Sequence, residues 1–206
     1  MSQRVKRRYR SPRRTEQANA TQREIMEAAR RLFSAQGYGS TTMEAVASAA
    51  DLSVATVYLS FRSKFGLLSA LVNDAAEDPS LDVEQVLNAA GLERQLAIGV
   101  HLIRQLHERT ASISGILRSG RGSDPRLAVL WDDWQARHLA AMSRVARNLA
   151  AAGWLRGGFD HSRAADVLYT LAGSETYRQL VIERGWQPAE FEEWLADSVR
   201  RLLLLP

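Results

Sequence analysis

Cysteine is absent from this chain of 206 residues. Its absence excludes disulfide bonds, thiolate catalysis and cysteine-based metal sites together. Long apolar runs are lacking too: no eighteen consecutive apolar residues occur, so the sequence predicts no membrane span. The basic N-terminus is not followed by the apolar stretch of a secretory signal. The sequence therefore predicts a cytoplasmic location.

Motifs typical of enzymes are also missing. The sequence contains no glycine-rich phosphate loop, no serine-centred nucleophile motif and no paired-histidine metal motif. His101 and His107 lie six positions apart, so they would not share a helix face well enough to bind one metal ion. We therefore predict that the chain is not an enzyme and holds neither a metal ion nor a cofactor.

Charge is unevenly distributed along the chain. Residues 1–68 contain twelve Lys or Arg against five Asp or Glu, whereas residues 69–206 contain fifteen against eighteen. Seven of the first fourteen residues are basic and none is acidic. Such a run repels itself and has no apolar face, so residues 1–19 are predicted to form a disordered basic arm. A basic arm suggests a polyanionic partner, although a solubilising tail would give the same pattern.

Hydrophobic periodicity predicts helices from about residue 21 onward. The first helix has one apolar face, spaced i, i+3, i+4, i+7 and i+8. Its members are Ile25, Ala28, Ala29, Leu32 and Phe33. Gly37 is expected to end this helix. Thr41 or Thr42 would cap a short second helix, Ser53 a third and Ser63 a fourth. The pattern predicts a tight turn between the second and third helices, as in a helix-turn-helix.

Helical patterns continue through the rest of the chain, and no useful length alternates with the period of two that strands require. The predicted helices span about residues 83–108, 125–152, 162–183 and 188–204. Between the first two, Gly115, Gly120 and Gly122 predict a loop around a short apolar piece, and this loop is a candidate gate. The predicted fold class is all-α.

The stretch 41–68 reads TTMEAVASAADLSVATVYLSFRSKFGLL. Together with Leu32-Phe33 and Gly37-Tyr38, it resembles the DNA-binding domain of the TetR family of regulators. The matching elements are the Phe and Gly closing helix one, the Thr capping helix two and the Ala-Ala before the turn. They continue with the Thr-x-Tyr and Phe of helix three and the Ser-Lys-x-x-Leu opening helix four. The resemblance is strong over about residues 20–70, and segment 177–195 resembles the C-terminal end of an actinobacterial-type subgroup.

The resemblance implies an architecture and a function. It implies a three-helix helix-turn-helix domain at 20–68 and a helical bundle at 69–206 for ligand sensing and dimerisation. The implied function is a sequence-specific DNA-binding transcription regulator, a repressor that a small molecule releases from a palindromic operator. Its partners would be double-stranded operator DNA, a second copy of the chain and an effector of unknown identity. A dimer also suits half-sites about 34–36 Å apart in successive major grooves.

Helix three is the candidate recognition helix. The family motif implies phosphate contacts for Tyr58 and for Lys64, which would also offer backbone amides at a helix N-terminus. Asp51 stands where the family usually has glycine, and aspartate tolerates turn geometry. The helix has no Arg, Lys, Asn or Gln, so base readout should rely on hydroxyl groups and on apolar contact with thymine methyls. The candidate DNA-binding residues are Thr42, Ser53, Val54, Ala55, Thr56, Tyr58, Leu59, Ser60 and Lys64.

The arginines of the basic arm are further candidates for DNA contact, because the recognition helix carries so few base-reading side chains. These arginines are Arg7, Arg8, Arg10, Arg13 and Arg14. By analogy with homeodomain arms, they could enter an adjacent minor groove. Non-specific attraction to phosphates is an equal alternative.

Candidate ligand and dimer contacts come from the body of the chain. The ligand candidates are His101, His107, Trp131, Trp134, Gln135, His138 and Tyr169. The dimer candidates, on apolar stripes of the last two helices, are Ala165, Leu168, Ala172, Trp194, Leu195 and Val199. Packing within one chain's core is the alternative for both sets. Two other functions stay open: a sequence-neutral, nucleoid-like DNA-binding protein, and a regulator whose body only dimerises.

Overall fold

The computed structural model describes residues 12–76 and 82–205. Their regular structure is helical, and the only β pairing among them is an isolated antiparallel bridge between Leu155 and Leu204. The all-α fold class is confirmed. The chain divides into two compact units, the first up to Leu71 and the second from Val72 onward. The sequence analysis placed this division after Leu68.

The first unit contains the helix-turn-helix. Its helices are α1 (Pro12–Ser40), α2 (Met43–Ala49), α3 (Val54–Phe61) and the greater part of α4 (Lys64–Ala76). The predicted disordered arm is too long, because residues 12–19 are already helical. Pro12 suits a first helical turn, where its missing N–H would have no partner in any case. Residues 1–11 lie outside the described residues.

Local chemistry sets the ends of these short helices. Gly37 interrupts α1 with φ 83° and ψ 159°, a conformation that glycine adopts without strain. Thr42, Ser53 and Ser63 each place a hydroxyl oxygen 3.0–3.1 Å from a backbone N–H of the helix that follows. Asp51 takes the left-handed conformation in the turn before α3, with φ 54°. The predicted caps and the predicted turn are confirmed.

The second unit contains longer helices. They are α5 (Glu84–Leu87), α6 (Leu92–Gly120), α7 (Pro125–Ala151), α8 (His161–Leu171), α9 (Ser174–Tyr177) and α10 (Pro188–Leu203), with a π-helical segment (Arg178–Glu183) after α9. Two of the predicted helical segments are divided at a glycine; a break or bend at Gly91 was predicted, and the one at Gly173 was not. Gly91, with φ 83°, separates α5 from α6. Gly173 separates α8 from α9, where a Cβ would lie 2.9 Å from the Tyr169 carbonyl oxygen.

The predicted glycine loop around residues 115–122 requires correction. α6 runs without a break to Gly120, and only a short turn leads to α7. Ile113, Ile116 and Leu117 are at most 3% exposed, so they extend the buried face of α6. This burial outweighs the cost of about 1 kcal/mol that an interior glycine imposes on a helix. The candidate gate is therefore helix over most of its length.

The core of the second unit lies where α6, α7, α8 and α10 pack together. Phe191 is completely buried at its centre, with ring centroids 5.0 Å from Tyr177 and 5.9 Å from Trp194. Among the described helices, none combines the length and the apolar character needed to cross a membrane.

Candidate nucleic-acid interface and ligand cavity

Helix α3 has one anchored side and one open side. Val57 is completely buried, whereas Tyr58 is 43% exposed and Leu59 is 85% exposed. Ser53 and Ala55 are exposed as well. The half-buried residues between them are Val54, Thr56 and Ser60. The residues predicted to contact DNA in α3 therefore share one accessible surface, and the contact itself stays a prediction.

The hydroxyl groups of this surface are held in place by hydrogen bonds. The Oγ of Ser53 lies 2.8 Å from the Oγ1 of Thr56 and accepts from the Thr56 N–H. Ser60 donates its hydroxyl proton to the Thr56 carbonyl at 3.0 Å. Of the two hydroxyl protons of Ser53 and Thr56, one is used between them and one is left for an outside acceptor. Thr42 is exposed at the start of α2, where its hydroxyl accepts from Ala45.

Lys64 has different partners from those predicted. Its Nζ donates to the carbonyl oxygens of Tyr38 at 2.7 Å, Gly39 at 3.1 Å and Thr41 at 2.8 Å. The same atom lies 4.6 Å from the centroid of the Tyr38 ring. An ammonium has three hydrogens, so these three bonds use all its donors. The side chain therefore ties the end of α1 to the start of α4, and phosphate contact by Lys64 stays a prediction.

The structure describes no side chain among the candidate arginines of the basic arm. Arg7, Arg8 and Arg10 lie outside the described residues. For Arg13 and Arg14 the structure describes the helical backbone alone. Minor-groove contact by the arm stays a prediction.

A cavity of about 280 Å³ lies within the second unit. Its volume is close to the lower end of the ~300–1,000 Å³ range of small-molecule sites. Most of its lining is apolar, including Leu96, Ile103 and Met142. Four of the seven predicted ligand residues line it: His107, Trp134, Gln135 and His138.

Two predicted ligand residues, His101 and Trp131, are absent from the cavity lining. His101 is about half exposed, and its Nδ1 lies 3.3 Å from a carboxylate oxygen of Glu192. Trp131 has its ring beneath the guanidinium of Arg121, whose Cζ is 6.0 Å from the ring centroid. Neither residue lines the cavity: His101 is on an exposed side of α6, and Trp131 is one turn before the lining residue Trp134 in α7.

Tyr169 stands behind the cavity lining. Its hydroxyl accepts a hydrogen bond from the Nε2 of Gln135 at 2.6 Å. Its ring centroid is 5.3 Å from that of His138. Tyr169 therefore positions two lining side chains and does not itself line the cavity.

Burial shifts both histidines of the cavity toward the neutral form. His107 is 3% exposed and donates its Nε2–H to the Ala172 carbonyl at 2.8 Å. Burial lowers the pKa of His107 to about 4, although that hydrogen bond raises it. Burial also lowers the pKa of His138, opposed by its hydrogen bond to the Tyr169 backbone. Desolvation disfavours the charged imidazolium in both cases.

Two buried acceptors of the cavity lining have no hydrogen-bond partner among the described residues: the Oε1 of Gln95 and the Nε2 of His138. The amide nitrogen of Gln95 donates to the Ala89 carbonyl at 3.0 Å. The sequence analysis did not identify Gln95 as a candidate. The signal was present, because Gln95 falls on the apolar stripe between Leu92 and Gly99.

The predicted dimer residues belong mainly to the protomer's own core. Five of them are at most 6% exposed: Ala165, Leu168, Ala172, Leu195 and Val199. The sixth, Trp194, is half-buried, with its ring centroid 6.2 Å from that of Trp186. The most apolar stripe of each helix faces the core of its own domain, because apolar surface is buried most completely there. These side chains are therefore covered within one chain, and a dimer interface on α8 and α10 stays a prediction.

Comparisons with known proteins agree with this arrangement. The family model described as "Bacterial regulatory proteins, tetR family" matches residues 25–71. The transcriptional regulator TtgR of Pseudomonas putida is 26% identical over 200 residues, which cover 93% of this chain and 95% of TtgR.

Two solved structures share the fold. SmeT in complex with triclosan has a TM-score of 0.74 and 21% identity, covering 90% of this chain and 92% of SmeT. NalD of Pseudomonas aeruginosa, a secondary repressor of the MexAB-OprM multidrug efflux pump, has a TM-score of 0.68 and 20% identity, covering 92% and 98%. The family match covers the residues that build α2, α3 and the first part of α4, so this segment is similar to the helix-turn-helix of the bacterial tetR regulators.

Proposed function

We propose that the chain is a homodimeric repressor that binds a palindromic operator and is released from it by a small molecule. The observation that carries the DNA-binding half is α3, which is anchored by Val57 and opens its other side to solvent. The short side chains there allow close approach of the helix backbone to a major groove. We also propose that the chain is not an enzyme and that it acts in the cytoplasm.

The cavity supports the effector half of the proposal. It is lined by the helices of one protomer, is mostly apolar and has a volume suited to a small molecule. SmeT binds triclosan and NalD is a repressor, and we extend the roles of effector binding and repression to this chain. The effector would act by population shift: it must bind more tightly to the conformation that leaves DNA than to the one that holds it.

Iterative selection from random-sequence DNA tests the proposal, with the purified full-length chain at about 0.15 M salt, where phosphate attraction alone is weakened. We expect a two-fold symmetric site with half-sites about one helical turn apart. A matched control is Ala55→Asp, which places a carboxylate on the exposed side of α3 and should recover no motif. Binding without any motif that vanishes as salt rises would instead establish the nucleoid-like function.

The basic arm is tested by removing residues 2–11, which leaves the start of α1 at Pro12 intact. If the arginines bind DNA, operator affinity falls, and the slope of log affinity against log salt falls by about 0.9 for each phosphate that the arm neutralises. A minor-groove role would additionally weaken the A·T preference beside each half-site. An unchanged affinity and slope would remove the arm from the proposal.

A further inference from the structure

We infer that the cavity takes an uncharged ligand with a flat apolar body and at least one hydroxyl or N–H donor, which binds Gln95 Oε1 or His138 Nε2. This inference rests on the proposed function only in treating the cavity as the effector site. It names the chemistry of the ligand, which the similarity to tetR regulators leaves open.

Two hydrogen-bond acceptors in the cavity lining have no partner among the described residues. Gln95 is 6% exposed, yet within the described part of the chain its Oε1 meets no donor, and the buried Nε2 of His138 meets none either. Proteins satisfy the large majority of buried polar side-chain atoms, because an unmade hydrogen bond retains the full cost of desolvation. Two such atoms in the lining of one cavity indicate a guest that brings donors.

The neighbouring hydrogen bonds fix both atoms as acceptors. The amide nitrogen of Gln95 faces the Ala89 carbonyl, so its oxygen is the atom left over. His138 donates one ring N–H to the backbone of Tyr169, and because Nε2 is unpartnered, the donor is Nδ1. A neutral imidazole that donates from Nδ1 carries a lone pair on Nε2. The ligand must therefore supply the hydrogens.

The charges around the cavity disfavour ionic ligands. Among the described residues that line it, none is an Asp or Glu that could balance a cation. The one charged residue in this described lining is Arg137, whose guanidinium is held by Asp133 at 2.5 Å and whose side chain is 52% exposed. His107 gives its Nε2–H to Ala172. Burial lowers the pKa of both lining histidines, so neither offers a positive charge to a carboxylate. An ion entering here would lose its hydration without a counter-charge.

The apolar lining indicates the rest of the ligand. Leu96, Ile103 and Met142 line the cavity together with the indole of Trp134. Aromatic rings favour offset or edge contacts with other rings, so a fused-ring body suits this wall. A cavity of about 280 Å³ accommodates a bicyclic compound.

Three naphthalene probes test the inference on the full-length protein at neutral pH. The probes are 2-naphthol, which has a donor, 2-methoxynaphthalene, which lacks it, and 2-naphthoate, which is an anion. Isothermal calorimetry gives the affinity of each. We expect 2-naphthol to bind about tenfold more tightly than 2-methoxynaphthalene, as one added hydrogen bond allows, and 2-naphthoate to bind at least as weakly as the ether.

Variants locate the acceptors. Gln95→Met and His138→Leu each remove one acceptor with a side chain of similar size, and the double variant should reduce the tenfold ratio to about one. Met142→Leu is the matched control, because it changes the same lining without altering a polar atom and should keep the ratio. The comparison among probes on the unaltered protein stands even where a variant fails to fold.

Several results would overturn the inference: equal affinity for naphthol and ether, tighter binding of the anion, or a ratio that survives in the folded double variant. Binding of none of the probes would overturn it too. The DNA selection described above reports separately on the proposed function. A recovered palindrome with no probe discrimination removes the ligand class alone, whereas discrimination without a palindrome removes the regulator function alone.

Discussion

The two units differ in the polar groups of their candidate sites. In the first unit, the hydroxyls of Thr42, Ser53 and Ser63 lie near the surface, and each caps a short helix. In the second unit, Gln95 and His138 hold acceptor atoms inside, without partners among the described residues. The hydroxyls of the candidate DNA-binding surface mostly have partners within the chain, whereas the cavity keeps two acceptors for the effector that we propose. Hydrogen-bonding atoms without a partner therefore distinguish the cavity from the candidate DNA-binding surface.

Acid offers the strongest test of this difference, because all four histidines belong to the second unit. The folded-state pKa of His107 is about 4, below its ordinary value of 6.5. Between these values the unfolded chain binds more protons, so the free energy of unfolding falls as pH falls from about 6.5 to about 4. The full loss is about 3 kcal/mol.

Urea unfolding at a series of pH values measures this loss. His107→Gln is the matched variant, because its amide N–H can still donate to the Ala172 carbonyl while the side chain does not titrate. Its stability should fall less over the same pH window, with His138 supplying the remainder. Identical pH profiles for the two proteins would contradict the burial argument.

Lys64 gives the next largest effect, and it belongs to the first unit. Lys64→Met removes three charge-assisted hydrogen bonds to carbonyl oxygens and should lower the free energy of unfolding by about 2 kcal/mol. The number of phosphate contacts, read from the salt dependence of operator binding, should stay the same. A salt slope reduced by about 0.9 with unchanged stability would restore the phosphate role of the side chain.

The hydrogen bonds of Lys64 could not be predicted from the sequence, unlike the local structure around them. The helices, caps and turn of the first unit followed from the sequence, because glycine, aspartate and hydroxyl residues act on their immediate neighbours. The partners of Lys64 lie 23–26 positions away in the chain, and no local pattern predicts three carbonyls gathered there. The family motif singled out Lys64 but did not predict its hydrogen-bond partners.

The second unit was harder to predict for a different reason. An apolar residue at helical spacing can pack in the core, line a cavity or contact a second protomer. The periodicity of the sequence could not decide among these three roles for Leu168 or Leu195. Polar exceptions carry more information. His107 and His138 were singled out by type and do line the cavity. Gln95 shows that an amide on an apolar stripe merits the same scrutiny.

Ser53 tests whether capping and DNA contact can be separated within the first unit. Ser53→Ala loses the bond to the Thr56 N–H and should cost about 1 kcal/mol of stability. Ser53→Asp keeps a capping oxygen at a helix N-terminus that favours negative charge, so its stability should match the original. Its carboxylate would nevertheless repel phosphates and weaken operator binding. Equal operator affinity for the Asp variant and the original protein would show that this end of α3 does not approach DNA.

Leu59 gives the smallest effect on folding and the sharpest contrast between the units. Its side chain is 85% exposed, so Leu59→Ala should change the free energy of unfolding by less than about 0.5 kcal/mol. Operator affinity should nevertheless fall by about 1 kcal/mol, a factor of about five, with loss of a thymine preference at one position of each half-site. Val129→Ala is the matched control, since Val129 is 70% exposed in the second unit and should alter neither quantity. If both variants leave the selected motif unchanged, the exposed apolar side of α3 takes no part in reading bases, and specificity must come from its hydroxyl groups.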